Sequence, residues 1–313
     1  MKLVEILIPT YNRASDLCQN LNHLKSEIEH HNLQGGVAIL ISDNASIDNT
    51  PQVAQDFVSS NSHLDVRYYR NKTNIGLERN VVNVFEAAQA SYVLFCGDDD
   101  LIAPGYLSFC LRQMKEYKGK LGCVIPGLMG IDKSGTKKIG RIENYQFREL
   151  PPGYDSVYLY SHYAHQMSGL LLRTDGVLAS YLKQTELRNP YLFIYFIAFN
   201  LYRYPSIYAP GFKTAVQTEN EKAWGYNEIG LLDEVFKSYL YLEKVITKDQ
   251  LDSLLVQFIR MHSYRLAIHP LKPIALIQKY KKVIGKLPYN SMLNRKIGLL
   301  FLKEYLLSFK RWN

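Results

Sequence analysis

The sequence has few cysteines and no long apolar run. Its four cysteines form no C-x-x-C pair and have no histidine at metal-ligand spacing, so they predict reduced thiols rather than a zinc site. No segment reaches the roughly 18–20 apolar residues of a membrane-spanning helix. The nearest, residues 191–202, includes Asn200 and predicts a buried helix. Because Lys2 leads directly into a strand-like segment rather than a signal peptide, we expect a cytoplasmic protein, soluble or peripheral at the membrane.

Glycine-rich phosphate loops are also absent. No G-x-G-x-x-G follows a predicted strand and no G-x-x-x-x-G-K-[ST] occurs, which argues against a dinucleotide oxidoreductase and against P-loop chemistry. The first predicted strand leads instead into Pro9-Thr10-Tyr11-Asn12-Arg13, which has no glycine. A sugar nucleotidyltransferase is expected to carry a glycine-rich loop at this position, so that class is a less favoured alternative.

Charge is unevenly distributed along the chain. The net charge is +8, yet residues 1–120 hold 11 Lys/Arg against 14 Asp/Glu, and the remainder holds 26 against 15. Residues 244–313 alone carry 14 Lys/Arg. A basic second half predicts an anionic partner, either nucleic acid or a membrane surface. No helix-turn-helix, zinc or other recognised nucleic-acid module is present, which favours the membrane surface.

Short apolar runs alternate with helical patterns over the first 127 residues. Ser15 is expected to cap the first helix, and Thr50 with Pro51 predicts the cap and first position of the second. Strands of this length between helices predict βαβ units and a mostly parallel sheet covered by helices on both faces, an α/β fold. The predicted strands are residues 4–9, 37–42, 66–69, 92–96 and 123–125.

Polar clusters follow four of these predicted strands. In open parallel sheets, ligands bind beyond the carboxyl ends of the strands, where the connecting loops converge. Polar side chains at four strand ends therefore predict one site at one edge of the sheet. The clusters are residues 9–13, 42–50, 74–80 and 97–100.

The most specific feature is Asp98-Asp99-Asp100, directly after the fourth predicted strand. Three adjacent carboxylates repel one another, so crowding them is unfavourable unless a cation compensates. Mg²⁺ and Mn²⁺ prefer oxygen ligands, and they typically use one or two carboxylates together with substrate phosphate oxygens. The alternative is a solvated acidic turn that caps a helix beginning near Pro104. The position beside the other polar strand ends favours the metal site.

Two further clusters have weaker interpretations. Asp43 ends the second predicted strand, where its carboxylate can accept hydrogen bonds from a nucleobase edge, or form an Asx turn instead. Gly76 permits close approach of the backbone to a ligand. Arg79 can reach a phosphate, or lie on the surface.

Together these clusters resemble the motifs of the family 2 glycosyltransferases, which have the GT-A fold. The resemblance covers roughly residues 1–130, with four motifs in the family's order. Within the family, Gly97-Asp98-Asp99-Asp100 is similar to bacterial transferases that build O-antigen or capsule sugars, although the family often has an aspartate where this chain has Gly97. The matching segments are residues 6–13, 42–50, 74–76 and 97–100.

The resemblance implies a metal-dependent, inverting transfer of a sugar from a nucleotide-sugar, most typically a UDP- or GDP-sugar. The acceptor would be a saccharide or a polyprenyl-linked saccharide. Asp99 is implied as the main ligand of Mn²⁺ or Mg²⁺, with Asp100 in support and Asp98 contacting the ribose or the metal. The residues implied in nucleotide binding are Pro9, Thr10, Tyr11, Asn12, Arg13, Asp43, Asn44, Asn74, Gly76, Arg79 and Asp98.

An inverting transfer requires a general base that deprotonates the acceptor hydroxyl. The downstream Glu-Asp pair usual in the family does not occur, so Glu186 and Glu219 are alternative candidates. His165 is a candidate contact to the donor or acceptor sugar, with a surface histidine as the alternative. Trp224 can stack on an acceptor sugar or simply pack in the protein.

The composition changes near residue 225, where the predicted elements become almost entirely helical. We therefore expect a nucleotide-sugar-binding and catalytic domain over residues 1–225, with its nucleotide half at about 1–127 and its acceptor half at about 128–225. Residues 226–313 are expected to form a basic helical region. Its last helix mixes apolar, aromatic and basic positions, which predicts either contact with an anionic membrane, at the inner face of the cytoplasmic membrane, or packing on the catalytic domain.

A non-catalytic relative that acts as an assembly protein at a membrane surface is the competing hypothesis. The lack of an obvious general base favours it. The intact Asp98-Asp99-Asp100 sequence argues against it, because an unused cluster of carboxylates has no evident structural purpose.

Overall fold

The computed structural model describes residues 2–132, 137–138, 146–185, 188–217, 238–262, 272–285, 287 and 291–312. Contacts divide the chain into two compact units. The first comprises Met1–Lys183 and Phe196–Glu221, and the second comprises Gln184–Tyr195 and Lys222–Asn313. The domain boundary expected near residue 225 falls within residues 218–237, outside the described residues.

The described strands of the first unit form one nine-stranded sheet. Its order is β3-β2-β1-β4-β8-β5-β9-β7, with β6 beside β5. The strands are β1 (Val4–Thr10), β2 (Val37–Asp43), β3 (Asp65–Arg70), β4 (Tyr92–Phe95), β5 (Cys123–Ile131), β6 (Lys137–Lys138), β7 (Arg148–Leu150), β8 (Leu171–Arg173) and β9 (Ser206–Gln217).

The strands β3, β2, β1 and β4 pair in parallel, as the alternation of strands and helices predicts. Every residue of β1 and β2 is buried, which explains why both read as continuous apolar runs rather than alternating patterns. The short strand β8 lies between β4 and β5 and is antiparallel to both. Beyond it, β5 and β9 are parallel and β7 is antiparallel to β9. The expected α/β fold with a parallel central sheet is confirmed.

Helices cover the sheet of the first unit. Leu17, Leu21, Leu24 and Ile28 of the first helix are buried with alternate residues of β1 and β2, as their spacing predicts. The buried helix predicted over residues 191–202 is also present. The helices are α1 (Ala14–His30), α2 (Thr50–Ser60), α3 (Leu77–Glu86), α4 (Tyr106–Glu116), α5 (Tyr154–Tyr160) and α6 (Val177–Leu182), with a 3₁₀ helix at Ser161–His165. The helix α7 (Leu192–Arg203) belongs to this unit from Phe196 onward.

The second unit is helical in its described part, as expected for the C-terminal region. A capping box begins its first long helix: the Thr247 side chain accepts a hydrogen bond from the Gln250 N–H, and the Gln250 side chain accepts one from the Thr247 N–H. None of the helices within the described residues is long and apolar enough to cross a bilayer. The elements are a 3₁₀ helix (Tyr241–Lys244), α8 (Lys248–Met261), α9 (Pro273–Ile284) and α10 (Ser291–Trp312).

Candidate active site

The strand register brings the carboxyl ends of β1, β2 and β4 to one level of the sheet. Thr10 pairs with Asp43 across β1 and β2, and Leu7 pairs with Phe95 across β1 and β4. Thr10 comes three residues after Leu7, on β1, and Asp98 comes three residues after Phe95, beyond the end of β4. Three of the predicted polar clusters therefore meet at one edge of the sheet.

The side chain of Asn12 ties the loop after β1 to the loop after β2. Asn12 has a φ of 53°, a left-handed backbone conformation that asparagine adopts more readily than most residues. Its Oδ1 accepts a hydrogen bond from the Ile47 N–H at 2.9 Å, and its own N–H donates to Ser46 Oγ at 2.8 Å. The Arg13 N–H donates to Thr50 Oγ1 at 2.9 Å. These bonds join the two strand ends into one rim.

Asp43 is completely buried at the end of β2. Its Oδ1 accepts hydrogen bonds from the Ser46 N–H at 2.9 Å and the Ser46 hydroxyl at 2.5 Å. Its Oδ2 accepts from the Tyr68 hydroxyl at 2.9 Å and lies 3.4 Å from Arg70 Nε. Burial, and then the hydrogen bond to Asp43, raises the pKa of Tyr68, so this hydroxyl remains a donor. Asp43 bonds the backbone three residues on rather than two, so it does not form the Asx turn considered as its alternative. A nucleobase must share the carboxylate with these four donors.

Asp48 organises the starts of two helices. Its Oδ2 accepts from the Ala14 N–H at 3.2 Å and its Oδ1 from the Thr50 N–H at 2.9 Å. Burial alone would raise the pKa of Asp48, but the hydrogen bonds from Thr50 and Ala14 outweigh it and lower the pKa. The expected caps at Ser15 and Thr50 are therefore wrong, because α1 begins at Ala14 and α2 at Thr50, with Asp48 accepting from both.

Side-chain amides connect the second and third predicted clusters. Asn44 Nδ2 donates to Asn74 Oδ1 at 2.8 Å, and Asn71 Nδ2 donates to Asn80 Oδ1 at 2.9 Å. Asn80 also accepts from the Ser42 hydroxyl at 2.7 Å. Asn44 and Asn74, both predicted to bind nucleotide, thus hold each other across two loops.

Gly76 and Arg79 lie at the start of α3. Gly76 is the N-cap residue, with a φ of 83° that a side chain would strain. A Cβ added there meets nothing within 4 Å, so the backbone conformation and not crowding requires glycine. Arg79 is exposed and forms no hydrogen bond or ion pair with the described residues. Its guanidinium remains available to an anion.

The acidic loop, residues 97–100, directly follows β4. Asp98 and Asp99 are half-buried and Asp100 is buried. Burial, and then repulsion from Asp99, raises the pKa of Asp98 to about 8, against smaller opposing effects of Thr10 and Arg13. A cation would favour the charged carboxylate and reverse this shift. The loop is therefore electrostatically suited to bind a cation.

Two residues that the sequence analysis did not select hold the acidic loop in place. The Ser168 hydroxyl donates to Asp100 Oδ2 at 2.5 Å and accepts from the Gly97 N–H at 2.8 Å. The Asn20 amide, on α1, donates to the Gly97 carbonyl at 3.1 Å and the Asp100 carbonyl at 2.5 Å. Both side chains are buried. For Asn20 the sequence does contain a signal, a polar residue at helical spacing within the apolar face of α1.

The same contacts explain the glycine at position 97. A Cβ at Gly97 would lie 2.8 Å from Asp100 Oδ2 and 3.2 Å from Ser168 Oγ. An aspartate, which the family often has here, would displace the hydrogen bond between Ser168 and Asp100. The absence of a side chain at Gly97 therefore leaves room for the hydrogen bond between Ser168 and Asp100.

The strand β9, which the sequence analysis did not predict, also reaches the acidic loop. Leu101 and Ala215 exchange two backbone hydrogen bonds, of 2.9 and 2.8 Å. Beside them, Gly169 has a φ of 84°, and a Cβ there would lie 2.6 Å from Thr214 Oγ1. The acidic loop is thus enclosed by α1, by β9 and by the segment that carries Ser168.

The remaining candidates lie away from these contacts or outside the described residues. His165 ends the 3₁₀ helix that precedes Ser168, and its Nδ1 lies 2.9 Å from the His162 carbonyl oxygen. Glu186, Glu219 and Trp224 are outside the described residues. Tyr11 and Pro9 lie on or directly after β1.

No cluster of three or more His, Cys, Asp or Glu side chains that suits a metal occurs in the part of the chain that the structure describes. A cation completed by phosphate oxygens needs fewer protein ligands, and one or two carboxylates suffice. Asp98 and Asp99 provide such a set. The Thr10 hydroxyl beside them is buried and forms no hydrogen bond with the described residues. It nevertheless lies near enough to Asp98 to lower the pKa of that carboxyl. The donor set fits Mg²⁺ or Mn²⁺.

The carboxyl ends of the parallel strands thus carry carboxylates and buried amides, and the exposed guanidinium of Arg79 lies at the start of α3. This arrangement agrees with the GT-A fold expected from the sequence. The sequence model of glycosyl transferase family 2 matches residues 5–170, more than half of the chain. The protein belongs to this family.

Individual relatives agree with this assignment. Abequosyltransferase RfbV of Salmonella typhimurium is 36% identical over 106 residues, a match that spans 34% of this chain and only 31% of the relative. The crystal structure of S. aureus TarS 1-349 in complex with UDP-GlcNAc has a TM-score of 0.66 at 15% identity, covering 100% of this chain and 91% of TarS 1-349.

A second solved structure has the same fold. Mannosyltransferase PcManGT from Pyrobaculum calidifontis, in complex with GDP-Man and Mn²⁺, has a TM-score of 0.56 at 12% identity, covering 97% of this chain and 87% of that chain. At such identities the likeness concerns the fold, and it confirms the GT-A architecture expected from the sequence.

Proposed function

We propose that this protein transfers a sugar from a nucleotide-sugar to a saccharide or polyprenyl-linked saccharide during synthesis of a bacterial surface polysaccharide, with inversion at the anomeric carbon. The observation that carries the proposal is the acidic loop at the edge of the sheet, where Asp98 has a pKa of about 8 and is poised to bind a cation. Membership of glycosyl transferase family 2 supports it. So does the abequosyltransferase relative, whose own name states a sugar transfer.

In this proposal Asp99 and Asp98 hold Mn²⁺ or Mg²⁺ and Asp100 orients the loop. A divalent cation at this place neutralises the charge that develops on a diphosphate leaving group. The residues of the chain then have three tasks. Asp98 and Asp99 bind the cation, Ser168 and Asn20 fix the loop, and Arg79 contacts a phosphate.

The nucleotide would lie along the rim formed by the loops after β1 and β2. Pro9, Thr10, Tyr11, Asn12 and Arg13 form its β1 side. The β2 side is formed by Asp43 and Asn44, with Asn74 and Gly76 beside them. UDP- and GDP-sugars are the proposed donors, and the two solved structures above, which hold UDP-GlcNAc and GDP-Man, support this range.

The acceptor hydroxyl needs a general base, for which Glu186 and Glu219 are the proposed alternatives. Converting each to glutamine separates them, because only the variant of the base should bind the nucleotide normally and lose transfer. His165 and Trp224 are proposed to contact the sugars. We place the protein in the cytoplasm, peripheral at the inner face of the cytoplasmic membrane.

Thermal unfolding with UDP, GDP, CDP or TDP, each with and without Mn²⁺, tests the proposal. A ligand that binds only the folded state stabilises it by about 2.7 kcal/mol at a hundred times its Kd. We expect one nucleotide to raise the Tm, and to do so only with the metal. Asp99→Ala should lose this metal-dependent rise, whereas Asp56→Ala, which removes an exposed carboxylate on α2, should keep it.

Absence of a Tm rise with every nucleotide and metal, in folded protein, would contradict the proposed donor site. A Tm rise without any hydrolysis or transfer of the matching nucleotide-sugar would favour the non-catalytic assembly protein. The Tm without ligand, measured for the unchanged protein and for Asp99→Ala in the same experiment, distinguishes these results from loss of folding.

A further inference from the structure

The last two helices of the second unit pack against each other through one face. The Tyr280 hydroxyl of α9 donates to the Asn294 carbonyl of α10 at 3.0 Å, and the Tyr280 ring meets the Phe301 ring edge-on at 5.6 Å. Leu293 and Ile297 of α10 are buried on the same side as Phe301. This face of α10 therefore has its partners within the protein.

The opposite face of α10 is also apolar, but it is exposed. Its large side chains are between 41% and 62% accessible to solvent. Their spacing of seven, three, four and three residues places them on one side of a helix with 3.6 residues per turn, away from the buried residues. We call these residues the apolar stripe: Met292, Leu299, Leu302, Leu306 and Phe309.

The helix α9 carries exposed apolar residues of its own. Ile274 is 71% exposed and Ile277 is 52% exposed, three residues apart and thus on one side of α9. Single exposed apolar residues are ordinary on protein surfaces, whereas contiguous apolar rows mark sites of interaction. Both of the last two helices thus carry exposed apolar residues on one side, as interaction surfaces do.

The charges around the stripe identify the kind of partner. The sequences of α9 and α10 contain eight Lys/Arg and one acidic residue, Glu304. Arg295, Lys296 and Lys303 are exposed on the side of α10 that carries the stripe. A protein partner would have to supply both a long apolar groove and many carboxylates. An anionic bilayer offers an apolar interior under a negatively charged surface, which matches both features at once.

We propose that the apolar stripe and its basic border bind an anionic lipid bilayer, with α10 lying in the membrane interface. The leucines and Phe309 enter the boundary between headgroups and acyl chains, while Arg295, Lys296 and Lys303 remain at the headgroup phosphates. Binding of lipid by this surface is independent of sugar transfer. Only its benefit, access to a lipid-linked acceptor, rests on the proposed function.

Co-sedimentation of the full chain with vesicles tests the inference. Vesicles of phosphatidylcholine with 30 mol% phosphatidylglycerol are compared with vesicles of phosphatidylcholine alone, at 0.1 and 0.5 M NaCl. We expect binding to the anionic vesicles at least about tenfold tighter than to neutral ones, and weakened by salt, because several Lys/Arg contribute. The double variant Leu302→Glu/Leu306→Glu should lose binding by about tenfold or more.

Leu159→Glu on α5 is the matched control, because Leu159 is also about half exposed on a helix and lies in the first unit. It should bind vesicles as the unchanged protein does. A second variant, Arg295→Glu/Lys303→Glu, should lose the preference for anionic vesicles while keeping the apolar stripe. All variants should keep the Tm rise with nucleotide and metal, which separates this test from that of the donor site.

Three results would overturn the inference. The unchanged protein fails to bind anionic vesicles, or the Leu302→Glu/Leu306→Glu variant binds them as well as the unchanged protein does. In the third, the unchanged protein is a dimer in solution, the double variant is a monomer, and vesicles bind neither, so that the stripe joins two copies of the chain.

Discussion

A single buried hydroxyl connects the two ends of the acidic loop. Ser168 donates to the Asp100 carboxylate and accepts from the Gly97 N–H, so it holds the Gly97 backbone and the Asp100 side chain on either side of Asp98 and Asp99. The positions of the two proposed metal-binding carboxylates thus depend on a residue about seventy positions later in the chain. Ser168 acts through Asp100, and we regard it as a positioning residue.

We expect Ser168→Ala to cost about 1–3 kcal/mol of folding free energy, because the Gly97 N–H is left buried without its acceptor. It should also weaken Mn²⁺-dependent nucleotide binding beyond what the loss of stability accounts for. Thermal unfolding with and without Mn²⁺ and nucleotide measures both effects. Ser156→Ala, which removes another buried serine hydroxyl, bonded to the Pro151 carbonyl, is the control. Equal metal-dependent Tm rises in the two variants would contradict the positioning role.

At this scale the sequence identifies some roles and misses others for physical reasons. Asp98 and Asp99 stand out because adjacent carboxylates after a buried strand need compensation. Gly97 departs from the family pattern at a position where a side chain would crowd Asp100 and Ser168. Nothing in the local sequence around Gly97 indicates the contact with Ser168. The role of Asp43 could not be decided from the sequence, because binding a nucleobase and forming a turn both use the same carboxylate oxygens. The fold shows that four protein donors surround these oxygens.

At the scale of elements, the parallel strands could be predicted because burial on both faces leaves an uninterrupted apolar run. The strands β1, β2 and β4 show this pattern, and the polar clusters mark where each ends. The place of β8 in the sheet could not be predicted in the same way. Its antiparallel pairing with β4 and β5 depends on contacts between distant parts of the chain, which its three residues do not reveal.

The strand β9 was not predicted because its sequence is irregular. Pro210 and Gly211 lie within it, and its pairing with β5 shifts register between Pro126 and Gly127. Proline and glycine both argue against a regular strand when only local sequence is considered. After the irregularity, β9 also pairs with Leu101, beside the acidic loop, through Ala215.

The helix α1 contributes to the site through Asn20, whose side-chain amide supports the acidic loop. Asn20→Ala should leave the buried Gly97 and Asp100 carbonyls without their amide donor, at a cost of about 1–3 kcal/mol. The donor site should weaken as well, because the acidic loop loses its support from below. Asn22→Ala is the control, since Asn22 is exposed and bonds only within α1. Titration of Mn²⁺ in the presence of nucleotide should separate the two, and equal affinities would contradict a supporting role for α1.

At the scale of the whole molecule, the uneven charge of the sequence has a structural counterpart. The first unit contains the acidic loop, and the second contains the basic helices α9 and α10. The sequence predicts this separation from composition alone, because net charge requires no knowledge of contacts. What it does not predict is that α10 is apolar on two opposite faces, since one of them is buried by packing within the second unit, where Tyr280 of α9 is among its partners.

The raised pKa of Asp98 predicts how the stability of the whole protein changes with pH in the absence of metal. The folded pKa is about 8, against 3.8 for the ordinary group. Between these values the folded protein holds a proton that the unfolded chain has released, so the free energy of unfolding falls as the pH rises from about 4 to 8. Asp98→Asn removes this effect. In EDTA at pH 8.5 we expect the variant to be more stable than the unchanged protein by about 2 kcal/mol, after allowing for partial solvent screening, and the difference should vanish towards pH 4.

With Mn²⁺ and nucleotide the order of the two stabilities should reverse, because the unchanged protein then gains a ligand that needs the Asp98 carboxylate. A Tm difference that stays constant from pH 4 to 8.5 would show that Asp98 does not hold this proton.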